Sequence, residues 1–197
     1  MTSRTKWSID QTHSEIGFSV QHLMIAHVKG SFKKFNGTIY TTGKDFTRAE
    51  IDLWIDPSSI TTGNDERDEH LRNVDFFDTK KYNEITFKAN GIGLEDIKSK
   101  RELKGTLTMK GVTKEIKLNT QFGGIAKDSF GNEKAGFTIG GTIKRSDWGL
   151  MWNTSTETGG ALVSDEVKII CEVELINASQ KELSMKLESA STKNGTH

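Results

Sequence analysis

The stretch VKIICEVEL, residues 167–175, decides the fold. Apolar side chains recur in it at every second position from Val167 to Leu175, and Lys168, Glu172 and Glu174 lie between them. Successive side chains of a β-strand point to opposite faces, so the pattern predicts a strand with one dry face and one wet face. Such one-sided strands are typical of antiparallel sheets, whereas the strands of a parallel sheet are apolar on both faces.

The same period of two recurs along most of the chain. The further runs are 16–20, 28–32, 49–55, 85–89, 103–109, 116–122 and 135–143. Short turns join many of them, such as Lys110-Gly111. A sheet with this many long antiparallel strands must hide its edges, and closure into a barrel does so completely. The sequence therefore predicts an all-β fold, an antiparallel β-barrel of about eight strands.

Two segments break the alternation. Residues 64–73 are predicted to form a helix, because Thr62 and Asp65 have capping-box spacing and acidic residues occupy the first turn. This helix lies between two strands, so we expect it to cover one mouth of the barrel. Residues 21–26 are predicted to form a single turn of helix between the early strands.

The charge balance excludes several classes of protein. Lys plus Arg and Asp plus Glu both total 27, so the formal net charge is zero. A general nucleic-acid binder needs a basic excess, and so does a protein held on a membrane by charge alone. No apolar run is long enough for a transmembrane helix. The polar start, Met1 to Trp7, predicts a cytoplasmic location, with the periplasm as the alternative if a signal segment was removed.

The sequence offers no catalytic or metal-binding motif. The single cysteine, Cys171, has no internal partner, and His22 and His27 are not spaced as a same-face helical pair. No GxSxG occurs, and the stretch 37–45 departs from a phosphate-binding loop. We therefore expect neither a cofactor nor a metal, and predict that the protein is not an enzyme.

The dry face of the strands is unusually aromatic, which raises the question of a cavity. The phenylalanines at inward positions are Phe18, Phe32, Phe87, Phe122 and Phe137. An eight-stranded barrel is just wide enough to be filled by side chains or to hold one small ligand. Glycines at 30, 105, 140 and 141 remove volume on or beside inward positions. The pattern by itself leaves a cavity and a filled core as equal alternatives.

Two segments are candidates for the mouth of such a cavity. The helix carries Arg67 and His70, which either face solvent or meet an anionic head group by charge-assisted hydrogen bonds. The segment from Arg145 to Trp152 is either a loop pinned by an Arg–Asp pair or an aromatic flap over a pocket. Both alternatives stay open for each segment.

Several strings, taken in order, resemble the YceI-like family of lipid-binding barrels. They are DQTHSEIGFSVQHL at 10–23, VKGSF at 28–32, FNG at 35–37, TGN at 62–64, DFFD at 75–78, GTLTMKGVTK at 105–114 and SDEV at 164–167. The resemblance covers about residues 7–176. It implies an extended, lipocalin-like eight-stranded barrel that binds a long isoprenoid or another amphiphilic lipid, with no catalytic activity general to the family.

The predicted organisation is a lipid-binding barrel over 1–177 and a polar tail, either a frayed helix or disordered, over 178–197. We predict a carrier, store or sequestering protein for one long-chain lipid. The alternatives are an isomerase or hydrolase that uses the same cavity, and a stress-linked structural protein with a filled barrel. A homodimer is a further possibility, because Tyr40 and Trp54 point outward. The residues predicted to contact the ligand are Phe18, Val20, Phe32, Leu53, Phe76, Phe87, Leu107, Phe122, Phe137, Ile139, Trp148, Trp152, Arg67 and His70.

Overall fold

The computed structural model describes residues 4–91, 101–154 and 162–179. These residues form eleven β-strands and one α-helix, α1, from Asp65 to Arg72. The strands are β1 Arg4–Ile9, β2 Glu15–His22, β3 Ala26–Phe32, β4 Phe35–Thr42, β5 Asp45–Ile55, β6 Ile60–Thr61, β7 Ile85–Asn90, β8 Arg101–Met109, β9 Val112–Lys127, β10 Glu133–Lys144 and β11 Val163–Asn177. Among the helices of the described residues, none is long and apolar enough to cross a membrane.

Eight of the strands close a ring, which confirms the predicted antiparallel barrel. The order around the ring is β1, β4, β5, β7, β8, β9, β10 and β11, and β11 pairs again with β1. Trp7 marks the closure, because it pairs with Ile39 of β4 on one side and with Asn177 of β11 on the other. Closure leaves these strands without a free edge.

A three-stranded extension lengthens one side of the ring. The first part of β11 pairs with β2, which pairs with β3, which in turn pairs with the short β6. Since β11 pairs with β2 and then with β1, those two strands form one interrupted edge. At the interruption, the backbone N–H of Asp10 donates to the carbonyl oxygen of Glu174 (2.8 Å), and the Ser14 hydroxyl accepts from the Glu174 N–H (2.9 Å). The side chain of Ser14 thus replaces a missing ladder bond.

A largely buried ammonium group fastens this interruption to the next strand. Lys134 of β10 donates from Nζ to Asp10 (2.5 Å) and to Glu174 (2.9 Å). The Asp10 carboxylate also accepts from the backbone and hydroxyl of Thr12. Burial by itself raises the pKa of Asp10, but the hydrogen bonds from Lys134, Thr12 and His13 outweigh it and hold the pKa well below its usual range.

Acid should therefore destabilise the protein partly through Asp10. Because the folded-state pKa lies below the unfolded value of about 3.9, the carboxylate stabilises the fold above that pH, and this contribution is lost as pH falls toward the folded pKa. We expect Asp10→Asn to lower the free energy of unfolding at neutral pH and to flatten its decline below about pH 5. Urea titrations across pH measure this. Asp52→Asn, at an exposed carboxylate, is the control, and an unchanged slope in Asp10→Asn would contradict the account.

The helix α1 forms where it was predicted, over 64–73, but a different residue caps it. Asn64 accepts the N–H of Arg67 (2.9 Å), whereas Thr62 donates its N–H and its hydroxyl to the buried carboxylate of Asp68. The capping-box interpretation of Thr62 and Asp65 was wrong. Arg72 then ties the helix to the carbonyl oxygens of Ser58 and Ile60. These bonds hold α1 over one end of the barrel.

The predicted helical turn over 21–26 was also wrong, because a tight hairpin joins β2 to β3. Leu23 (φ 51°) and Met24 (φ 60°) are its two central residues, and the N–H of Ile25 donates to the carbonyl oxygen of His22 (3.2 Å). Positive φ at both positions defines a type I′ turn, which normally takes Asn-Gly. A left-handed conformation costs about 1–2 kcal/mol for a residue other than glycine.

The predicted tail lies almost wholly outside the described residues. Of residues 178–197, the structure describes only Ala178 and Ser179. The Ser179 hydroxyl accepts the backbone N–H of Lys6 (2.9 Å), so the chain after β11 continues beside β1.

Candidate functional site

An elongated cavity of about 400 Å³ runs along the inside of the barrel that the described residues form. All eight strands of the ring contribute lining residues, and β2, β3 and α1 close its sides near one end. Most of the lining side chains are aliphatic or aromatic. The volume is in the usual range of small-molecule sites, about 300–1,000 Å³. Of the two alternatives that the sequence left open, the structure therefore has the cavity.

Glycines on the wall keep this cavity open in a way the sequence did not reveal. Gly30 pairs with Phe18 across β2 and β3, and a Cβ on Gly30 would lie 2.4 Å from the Phe18 ring. Gly105 pairs with Ala89 across β7 and β8, and a Cβ on Gly105 would lie 2.4 Å from the ring of Phe87 on the same strand as Ala89. The glycines thus do not add empty volume of their own. They let two large rings lie against the backbone, and the centre of the barrel stays free.

Aromatic rings close the end of the cavity that lies away from α1. Phe46 contacts Trp7 (ring centroids 5.2 Å apart), Phe122 (5.9 Å) and Phe137 (5.0 Å). The Trp7 indole N–H donates to the Thr41 hydroxyl (2.9 Å), which satisfies its polar atom in a buried position. These contacts form a packed apolar floor.

Three other rings meet at the opposite end, beneath α1, and form the mouth. His70 lies edge-on to Trp152 (4.7 Å) and to Phe76 (5.1 Å), and Trp152 contacts Phe76 (5.2 Å). The His70 Nε2 lies 3.0 Å from a carboxylate oxygen of Asp75, which orients the imidazole ring. Lys110 fixes the position of Phe76 by donating to its carbonyl oxygen (2.5 Å). The mouth is therefore aromatic on its inner side and polar on its outer side.

Arg145 organises the loop that carries Trp152. Its Nη1 donates to the carbonyl oxygens of Leu150 (2.5 Å) and Trp152 (2.9 Å), and its Nε donates to that of Ser164 (3.0 Å). The side chain is buried, and burial lowers the pKa of the guanidinium while the nearby charge of Asp165 opposes that effect. The loop is thus pinned by an arginine, as the sequence allowed. However, the expected Arg–Asp pair is wrong, since the partners of Arg145 are carbonyl oxygens.

Arg67 is the second arginine that lines the cavity. Its Nε donates to the Thr62 hydroxyl (2.7 Å) and its Nη2 to the Thr62 carbonyl oxygen (3.0 Å). Within residues 4–91, 101–154 and 162–179, neither Arg67 nor Arg145 has a carboxylate within ion-pair distance. The guanidinium of Arg67 keeps free N–H donors. The mouth therefore presents positive charge and spare donors, and the floor is apolar.

The structure brings together most of the residues that the sequence proposed for the ligand. Twelve of the fourteen line the cavity, and the two exceptions are Phe122 and Trp148. Phe122 packs into the aromatic floor, and Trp148 is buried in the wall, where its indole N–H donates to the carbonyl oxygen of Leu107 (3.1 Å). Contact with a ligand stays a prediction for all fourteen.

Sequence reasoning missed several lining residues. Phe46 lies at the start of β5, outside the alternation predicted for 49–55, and Arg145 was considered only as a structural residue. The inward parity of Cys171 was visible in the stretch 167–175, but its position in the cavity wall was not. Phe77, which follows the helix, meets Phe32 edge-on (5.9 Å), and no pattern indicated that contact.

The lining bears on the alternative of an enzyme that uses this cavity. Asp52 is the one carboxylate residue among the described residues that line the cavity. Its carboxylate lies on the outer face of the barrel, where the side chain is 64% exposed and pairs with Lys88. Burial raises the pKa of the Cys171 thiol to about 11, so the sulfur is protonated at neutral pH and a poor nucleophile. The described lining thus offers no carboxylate that acts as an acid or base inside the barrel.

A group of residues with metal-ligating atoms lies outside the cavity. Asp10, His13 and Glu174 bring their ligand atoms within 4.8 Å of one another. The ammonium of Lys134 already lies between the two carboxylates, as described above. The Lys134 ammonium therefore takes the place that a metal cation would occupy. The cluster fastens the corner between β1 and β2.

Comparison with known proteins gives relatives over nearly the whole chain. A "UPF0312 protein" of Staphylococcus epidermidis is 37% identical over 171 residues, which cover 86% of this chain and 96% of the relative. A crystal structure of the YceI protein of Campylobacter jejuni is 39% identical with a TM-score of 0.66, over 85% of this chain and 95% of that one.

A more distant structure shares the fold. It is a polyisoprenoid-binding domain from Saccharophagus degradans, 21% identical with a TM-score of 0.62, and the match covers 87% of this chain and 98% of that domain. The family model of the YceI-like domain matches residues 7–175, which span the barrel from β1 to β11. The chain therefore belongs to the family of YceI-like domains.

Proposed function

We propose that this protein binds one long-chain isoprenoid or similar amphiphilic lipid, with the tail in the barrel and the polar end at the mouth, and acts as a carrier, store or sequestering protein. The observation that carries the proposal is the elongated apolar cavity with a single charged end. The fold is shared with a domain that is described as polyisoprenoid-binding, which supports the same class of ligand.

The energetics favour a long tail. Each buried methylene contributes about 0.8 kcal/mol, and association costs on the order of 4–15 kcal/mol. A short acyl fragment barely offsets that cost, whereas about three or four isoprene units are enough to offset it. An elongated cavity with an aromatic floor suits a chain of this kind better than a compact ring system.

The arrangement at the mouth favours one orientation of the ligand. Arg67, His70 and Arg145 all line this end of the cavity. The two guanidinium groups donate hydrogen bonds from several N–H groups each. A head group with acceptor oxygens finds hydrogen bonds there and stays in contact with water. The opposite orientation buries that head group against Phe46 and Phe137, where polar groups lose their hydration.

A series of linear prenols of increasing length tests the proposal. Binding, followed by the fluorescence of Trp152 and the other tryptophans, should tighten with each added isoprene unit and stop tightening once the cavity is full. A water-soluble polyether of similar length is the matched control and should not bind. An affinity that does not depend on prenol length would overturn the proposal.

A further inference from the structure

Three exposed apolar side chains lie side by side in the hairpin turn between β2 and β3. They are Leu23 (40% exposed), Met24 (61%) and Ile25 (84%), and we call them the tip patch. Isolated apolar residues on a surface are ordinary, but a cluster at the end of a hairpin is a common mark of an interaction site.

The tip patch is continuous with the cavity through the chain itself. The N–H of Leu23 donates to the carbonyl oxygen of Leu162 (2.9 Å), and Leu162 lines the cavity. His22, which precedes Leu23, also lines the cavity. The tip patch therefore adjoins two residues of the cavity wall.

The backbone of the hairpin is at odds with its own sequence. The φ angles of Leu23 and Met24 are both positive, a conformation for which Asn and Gly are the preferred residues. The chain thus places two large apolar residues at positions where Asn and Gly would adopt the turn at a lower conformational cost and would expose less apolar surface. Strain of this kind persists at sites where the side chains themselves have a use.

The charges on this hairpin fit a lipid surface. No Asp or Glu occurs between Ile16 and Lys34, and the charged or titratable residues next to the turn are His22, His27 and Lys29. On the adjoining strand β11, the acidic residues near the turn are Asp165, whose carboxylate accepts from Ser146, and Glu166, whereas Glu172 pairs with Glu15 at the far end of β2. An apolar tip on a hairpin that carries Lys29 and no carboxylate between Ile16 and Lys34 fits the interface of a bilayer that contains anionic lipid.

We infer that the tip patch docks this protein on the surface of a lipid bilayer, with Leu23, Met24 and Ile25 inserted at the level of the head groups. The mouth then faces the bilayer, so a lipid tail passes between membrane and cavity without crossing water. The inference extends the proposed function, but docking itself needs no ligand in the barrel.

The double variant Leu23→Asn/Met24→Gly tests the inference directly. Asn-Gly suits the type I′ turn, so the variant should fold at least as well as the parent, and thermal denaturation verifies this. Co-sedimentation with vesicles of phosphatidylcholine and phosphatidylglycerol, free of isoprenoid, measures docking. We expect the parent to bind and the double variant to bind at least about tenfold more weakly, since two apolar side chains no longer insert.

Phe130→Ser is the matched control, because Phe130 is 88% exposed in the turn between β9 and β10, at the other end of the barrel. It should bind vesicles as the parent does. A parent that fails to bind these vesicles, or a double variant that binds equally well, would overturn the inference. A parent dimer that the double variant converts to a monomer would also overturn it, by assigning the patch to a second copy of the chain. Prenol binding in solution is a separate measurement, so failure of docking leaves the proposed function standing.

Discussion

Replacing Val167 with tryptophan should weaken lipid binding about a hundredfold and leave the barrel folded. Val167 lines the cavity and pairs with Val20 of β2 and with Ile143 of β10. An indole ring at this position therefore projects into the space that the lipid tail would occupy. Displacing about four methylene groups costs about 3 kcal/mol, which corresponds to a loss of affinity of about a hundredfold. The prenol titration described above measures the loss.

The neighbouring position supplies the control for this variant. Lys168 lies on the outer face of the same strand and is exposed, so Lys168→Trp adds the same ring outside the barrel. Its affinity for prenols should equal that of the parent. Equal affinity in Val167→Trp, with an unchanged circular dichroism spectrum, would show that the ligand does not occupy this part of the cavity.

Replacing Arg145 with methionine should destabilise the mouth more than any other single change there. The variant leaves the carbonyl oxygens of Leu150, Trp152 and Ser164 without their donor. Each unsatisfied buried acceptor costs about 1–3 kcal/mol, so we expect a loss of about 3 kcal/mol or more in the free energy of unfolding. Urea denaturation gives the total, and hydrogen exchange over 150–154 should rise first because those residues lose their anchor.

Arg67→Met is the comparison for that change. Arg67 is exposed and its bonds reach only Thr62, so its loss should cost less than about 1 kcal/mol. If Arg145→Met is as stable as Arg67→Met, Arg145 does not organise the loop and the account of the mouth is wrong.

The period of two accounts for most of what the sequence predicted correctly. In the stretch 167–175 the residues of inward parity, from Val167 to Leu175, all line the cavity. Strand parity is a local property, since each residue's face follows from its neighbour's. The signals that predicted the helix are also local, because its acidic first turn and its charged residues lie within one segment.

The features that the sequence did not predict depend on long-range contacts. Arg145 meets carbonyl oxygens from a later loop and from β11, and no spacing in the sequence encodes such partners. Trp148 and Trp152 are one helical turn apart, yet one is sealed in the wall by Leu107 and the other lines the mouth. The turn at Leu23 and Met24 failed for a different reason, because those residues contradict the usual chemistry of the turn they form.

The alternation pattern also could not predict whether the barrel encloses a cavity, again because of contacts between distant residues. Parity decides which side chains point inward, but the free volume depends on how far each ring leans toward the wall. Phe18 lies against Gly30 only because the two residues pair across β2 and β3. That pairing is a matter of register, which several distant strands fix together.

Native mass spectrometry of the purified protein, after incubation with a mixture of polyprenyl lipids and removal of the excess, tests the central claim most directly. The account predicts a mass increase equal to one long-chain lipid per protein, present in the parent and in Lys168→Trp and missing in Val167→Trp. A parent protein that remains at the mass of its own chain after this exposure would contradict the claim that the barrel is a lipid-binding site.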